Sequence, residues 1–217
     1  MYISGTVGAI DPNDSSSGRP DTMTPNRLEA FSDGVFAIAA TLLILNVQEP
    51  GAPLGEGLLR IWPSYVAYAV SFMTIGVIWI NHHAVIAQIA KVNRLFLLLN
   101  VVFLMLIAFI PFPTRLLAEH ITSEGAQAAA LSYGITLTGT AIMFNAIWRY
   151  AAHGRRLLRE NADPRVVRGI SRSYLPGPFI YLAATVAALV SPLLSAGLFA
   201  GIALFYVVES SLFGGRT

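Results

Sequence analysis

Within the long apolar runs of this sequence few side chains can hold a proton or an ion, and several of them fall close together. Arg27, Glu29, Ser32 and Asp33 open the segment RLEAFSDGVFAIAATLLILNV. Trp79, His82 and His83 lie in the segment GVIWINHH, and Asn100 follows Arg94 at the same interval by which Asp33 follows Arg27. A carboxylate surrounded by an imidazole, a carboxamide and an indole N–H can have its lone pairs satisfied. The same groups could relay a proton if water reached them. Zinc fits poorly, because the adjacent His82 and His83 point about 100° apart on a helix. No hydrolase or metalloprotease spacing occurs, the sequence has no cysteine, and neither an enzyme nor a bound cofactor is expected.

The elements that carry these residues are strongly apolar. Of 217 residues, 55% are hydrophobic and 12% charged, against about 25% charged in soluble domains, and the mean hydropathy is +0.62. Runs of the ~17–25 apolar residues needed to cross a bilayer recur. The expected fold is an all-α integral membrane protein with six transmembrane helices, at about 24–47, 62–83 (continuing toward Lys91), 95–114, 126–150, 174–191 and from there to near Ser210. Thr24-Pro25 reads as an N-cap with proline at the first helical position. Pro111, Pro113, Pro176 and Pro178 are expected to mark helix ends. Residues 1–23, rich in Gly, Ser, Pro and Asp, lack the pattern of a signal peptide and read as a disordered cytoplasmic tail. The six-helix domain is expected over 24–213, with a second cytoplasmic tail at 214–217.

An isoelectric point near 9.1 would suit a nucleic-acid partner, but the basic residues lie between the apolar runs. Arg19, Arg27, Lys91, Arg94, Arg149, Arg155, Arg156, Arg159, Arg165, Arg168, Arg172 and Arg216 fall on one side of the expected topology, and Arg60 and Arg115 on the other. The excess of positive charge on cytoplasmic loops then puts both termini in the cytoplasm of a multi-pass cell-membrane protein. The seven arginines of 149–172 also fit an anionic-lipid or nucleic-acid patch. A topology anchor on a solvated face is the plainer reading, and no nucleic acid is expected as partner.

At about 100° per residue, Phe31, Gly34, Ile38, Thr41, Leu42 and Leu45 form one stripe of the first helix. Glu29 and Asp33 lie on nearly the opposite side. Ionisable groups within a span face protein or a water-filled cavity, so the acidic side is expected to be buried against the second and third helices, leaving the stripe free.

These segments resemble the prokaryotic relatives of transmembrane protein 175, the lysosomal potassium channel. The resemblance rests on Arg-x-x-x-Phe-Ser-Asp at Arg27, Phe31, Ser32 and Asp33, on IGVIWINHH, and on LLLNVVFLMLIAFIPFPTRLL. It covers the first three spans closely and the last three only in number and character. It implies a homotetramer of six-helix subunits, with the first helix of each lining a central pore that conducts potassium or other monovalent cations. By offset from the motif, it implies a hydrophobic constriction at Ile38 and a threonine layer at Thr41, with Leu42 and Leu45 further along the pore. It also implies an interhelical network holding that helix through Arg27, Phe31, Ser32 and Asp33, to which the expected topology adds Trp79, His82 and Asn100. Membrane lipid and copies of the same chain are the expected partners.

A secondary transporter or a proton-conducting channel is the alternative. The transporter would call for paired broken helices in inverted repeats, which the sequence does not display. Tyr133-Gly134, in LSYGITLTGT, looks like part of a potassium-filter loop but falls inside a continuous apolar run, where small residues serve close helix packing.

Overall fold

The computed structural model describes residues 24–50 and 53–213, with side chains as far as residue 208. The expected tails at 1–23 and 214–217 lie outside the described residues. The chain forms α1 (Asn26–Leu42), α2 (Leu54–Arg60), α3 (Trp62–Ala87), α4 (Arg94–Phe109), α5 (Pro111–His120), α6 (Ala126–Ala152), α7 (Pro164–Tyr174), α8 (Gly177–Ala187) and α9 (Pro192–Phe213). Short 3-10 turns follow α1 at Leu43–Asn46 and α6 at His153–Arg155. The fold is all-helical, and among the described residues four segments are long and apolar enough to cross a membrane: Asn26–Asn46, Trp62–Ala87, Arg94–His120 and Ala126–Arg155.

Three boundaries differ from the sequence expectation. α1 starts at Asn26, with Pro25 rather than Thr24 at the cap and no side-chain cap bond. Pro111 does not end the third span. It opens α5 after a break of one residue at Ile110, because proline is tolerated in the first helical turn, where no N–H is needed. The helix expected at 174–191 is shorter: α7 closes at Tyr174, Pro176 caps the next helix, and α8 runs only over Gly177–Ala187, 11 residues. At 1.5 Å per residue that is about half of a ~30 Å hydrocarbon core.

α6 is the centre of the bundle, packed against α4, α5, α8 and α9, while α1 packs on α3 and α4. Phe96, Phe103, Ile107, Tyr133, Ile147 and Trp148 are fully or almost fully buried in the resulting core. Hydroxyl groups knit it at one point: Ser71 Oγ lies 2.9 Å from Thr114 Oγ1 and 3.0 Å from Tyr133 Oη, joining α3, α5 and α6. Tyr133 and Gly134 thus serve packing. Gly134 lies so close to α8 that a Cβ there would stand 2.5 Å from Thr185 Oγ1.

At the basic end, the link after α3 and the loop after α6 are joined by backbone. Ala90 N–H donates to the Leu157 carbonyl and Arg159 N–H to the Gln88 carbonyl, each at 2.9 Å. Asn93 caps α4 through Phe96 N–H and donates to Tyr150 Oη at 2.8 Å. Lys91, Arg94 and the arginines of 149–159 therefore meet at one end of the bundle. Arg115 bonds Glu119 at the other end, and Gln48, beyond the 3-10 turn of α1, reaches the same Glu119.

Candidate functional site

α1 owes its position to a line of residues spaced to fall on one face of a helix: Leu28, Ser32, Phe36, Ala39 and Leu43, all buried. Ser32 satisfies its hydroxyl within the helix, donating to the Leu28 carbonyl at 2.8 Å. Phe36, 3% exposed, meets the His82 ring at 5.6 Å and the Phe103 ring at 6.1 Å, and His82 stacks on Phe103 at 5.4 Å with only 10° between planes.

The polar atoms of His82 are satisfied inside this aromatic setting. Asn100 donates its amide to the Phe96 carbonyl at 2.8 Å. That bond fixes which way the amide faces and turns Oδ1 toward His82 Nε2 at 3.1 Å. A carbonyl oxygen only accepts, so His82 donates from Nε2.

A second pair of contacts runs along the edge between α1 and α3. Trp79 Nε1 donates to Asp33 Oδ1 at 2.8 Å, and His83 Nδ1 lies 3.0 Å from Glu29 Oε1. Residues 29 and 33 face 83 and 79 respectively, so the two helices run antiparallel. Asp33 remains exposed. The acidic side of α1 is thus its edge, and the buried face is turned from it toward Phe36.

Of the residues expected to lock the helix, Asp33 joins Trp79 and His82 joins Asn100, while Asp33 bonds neither His82 nor Asn100 among the described residues. Ser32 is buried but bonds its own helix. Arg27 and Phe31 lie on the exposed side, and Arg27 forms no ion pair among the described residues. Phe36 and Asn46 were missed as anchors. Asn46 is buried and donates to the Pro111 carbonyl at 2.9 Å, fixing the end of α1 to the break before α5. An amide within an apolar run was the available signal for it.

The outward stripe is intact. Ile38 is 61% and Leu45 71% exposed, and Phe31, Gly34, Thr41 and Leu42 are exposed with them. Thr41 Oγ1 donates back to the Ala37 and Ile38 carbonyls, at 3.0 and 2.9 Å. Beyond Leu42 the 3-10 turn changes the geometry: residues three apart eclipse, so Leu45 stands over Leu42, and buried Asn46 over buried Leu43. Among the described residues, no group of three or more His, Cys, Asp or Glu could hold a metal ion.

This arrangement is matched by known proteins. The family model described as the endosomal/lysosomal potassium channel TMEM175 matches residues 27–111, which run from the start of α1 to the break before α5. A potassium channel of Chamaesiphon minutus is 40% identical over 198 residues, covering 88% of this chain and 98% of that one. The crystal structure of a lysosomal potassium-selective channel TMEM175 homolog from the same organism superposes with a TM-score of 0.78 at 39% identity, covering 85% of this chain and 97% of that chain. The endosomal/lysosomal proton channel TMEM175 of Gallus gallus is 36% identical over 152 residues, which make up 64% of this chain but 30% of that longer protein. With identity of this order over nearly the full length of a relative, the chain belongs to the prokaryotic TMEM175 family, a family of ion channels and not of enzymes.

Proposed function

We propose that the protein is a potassium-preferring cation channel, a homotetramer in which α1 of each subunit lines a central pore. One observation carries the reading. α1 is anchored on one side by buried Phe36, by the Asp33–Trp79 contact and, at its end, by the bond from Asn46 to the Pro111 carbonyl, while Ile38, Thr41, Leu42 and Leu45 stand exposed on another side. A single apolar stripe cannot enclose a path, so conduction calls for cyclic assembly. Each subunit would cross the membrane six times, the last two crossings made by the α7–α8 segment and α9. Both termini would lie in the cytoplasm, on the side of the basic loops.

Four copies would set rings of Ile38, Leu42 and Leu45 around the axis. Narrow apolar rings exclude water, so an ion must shed part of its hydration to pass. Potassium sheds it more readily than sodium. The Thr41 oxygens compensate an ion that has lost waters, and no fixed charge lies on this part of the stripe. Such a constriction takes the place of a carbonyl filter and discriminates less sharply.

Proton conduction is a second reading. Asp33 is exposed while bonded to Trp79, the Glu29–His83 contact lies beside it, and the vertebrate relative is named as a proton channel.

The deciding experiment reconstitutes the purified protein in a planar bilayer and reads the reversal potential under opposing potassium and sodium gradients. The expected value lies near the potassium potential and moves toward zero in Ile38→Asn. A reversal that follows an imposed pH gradient favours proton conduction. Absence of current, or selectivity indifferent to Ile38, overturns the pore assignment and brings the transporter forward.

A further inference from the structure

α7 carries three arginines of the basic loop in one line. Arg165, Arg168 and Arg172 fall on one face of the helix and are exposed. Val167, Ile170 and Tyr174 fall on the opposite face and pack against the core. That inner face is pinned to α6: Trp148 Nε1 donates to Ser171 Oγ at 2.8 Å, and Asn145 Nδ2 to the Tyr174 carbonyl at 2.9 Å. These two bonds also give a direction. As α7 advances from 171 to 174, its partner on α6 retreats from 148 to 145, so α7 runs antiparallel along the flank of α6. α8 continues in nearly the same register, with Thr185 Oγ1 3.0 Å from Thr138 Oγ1. The arginine line therefore looks sideways out of the bundle.

Its depth follows from the same pairing. The register puts Arg172, Arg168 and Arg165 level with the last turns of α6, near residues 147, 151 and 154. A run of about 20 helical residues crosses a ~30 Å hydrocarbon core, and α6 from Ala126 has completed that length before Arg149. With Ala126 taken as the start of that crossing, the three arginines would stand at headgroup depth. Two turns farther along the chain, Phe179 and Ile180 on α8 are exposed and would stand at the depth of the hydrocarbon.

Among the described residues these charges meet no counter-charge in an ion pair. The only acids between 149 and 172 are Glu160 and Asp163, and Asp163 caps α7 by accepting from Arg165 N–H at 2.7 Å. None of the three guanidinium groups forms an ion pair among the described residues. Their neighbours are otherwise engaged: Arg155 donates to the Ala162 carbonyl at 2.9 Å, and Arg156 lies over the Tyr150 ring at 5.1 Å. A topology anchor needs charge only. A line of planar, bidentate donors held at headgroup level matches phosphate oxygens.

We propose that Arg165, Arg168 and Arg172 form a docking line for the headgroups of anionic phospholipids in the leaflet at the basic end. The site requires that the bundle span a membrane, and it is independent of whether the protein conducts.

Native mass spectrometry of the full-length protein in detergent tests it, with phosphatidylglycerol and phosphatidylcholine offered at equal concentration. Wild type is expected to retain phosphatidylglycerol about tenfold more readily, less so as salt is raised. R165Q/R168Q/R172Q loses the preference, and the triple lysine variant, which keeps the charges without the planar fork, retains only part of it. Equal retention by wild type, or a preference that survives in the glutamine variant, overturns the proposal. Displacement of the lipid by a short oligonucleotide, or dissociation of subunits in the glutamine spectra, overturns it as well, reassigning the line to nucleic acid or to a subunit contact.

Discussion

Trp79 donates its indole N–H to an Asp33 carboxylate oxygen 2.8 Å away, and one helical turn along, His83 meets Glu29 at 3.0 Å. The two contacts form a polar seam along the edge of α1, separate from the buried face that carries Phe36.

The seam should register as coupling between its members. Trp79→Phe and Asp33→Ala are each expected to destabilise by about 1 kcal/mol, the usual net worth of one hydrogen bond at an exposed site. The double variant should lose less than the sum. Thermal unfolding of all four proteins in one detergent measures this, and strict additivity would mean that the contact contributes nothing.

His82 and Asn100 behave differently because they are enclosed. Asn100→Leu leaves His82 Nε2–H without its acceptor among Phe36 and Phe103, with a loss of about 1–3 kcal/mol. His82→Phe combined with Asn100→Leu removes both polar groups and should recover much of that loss. A double variant less stable than the single one would show that the pair does more than satisfy itself.

Asn46→Leu cuts the bond to the Pro111 carbonyl. Stability is expected to fall by about 1 kcal/mol. Conductance should change with it, because the same 3-10 turn carries Leu45. Paired melting and single-channel recordings check both, and an unchanged conductance would detach Leu45 from the narrow part of the pore.

Two glycines of α6 give a matched contrast. At Gly134 an added Cβ meets Thr185 Oγ1 at 2.5 Å and Thr185 Cγ2 at 2.8 Å, and a β-branched residue on a helix has little freedom to turn away. Gly134→Ala is expected to lose about 1–3 kcal/mol. At Gly139 the nearest atom, Leu106 Cδ1, would lie 3.8 Å off, so Gly139→Ala should be neutral or stabilising by up to about 1 kcal/mol. Equal melting of the two variants would contradict the close approach of α6 and α8.

The sequence made the exposed stripe of α1 legible and misplaced its buried face. Lipid, pore and protein neighbours all accept Leu, Ile and Phe, so periodicity alone does not tell Phe36, in the core, from Ile38, outside it. The charged residues located the packed side to within about a quarter turn, because Glu29 and Asp33 take partners from its edge. Trp79, His82 and Asn100 were recognisable as polar groups at one depth, but their pairing depends on rotamers that spacing does not specify. Asn46 escaped notice because its partner is a carbonyl, and any residue supplies one. Proline was read as a stop at position 111, although helix geometry also admits it as a start.

The joint between the link after α3 and the loop after α6 is written in main-chain atoms. Its rungs use the N–H groups of Ala90 and Arg159 and the carbonyls of Leu157 and Gln88, so side chains there can change without severing it, and proline at 90 or 159 is the substitution that removes a rung outright. The two connections can therefore vary in side chain at this end while their main chains stay paired.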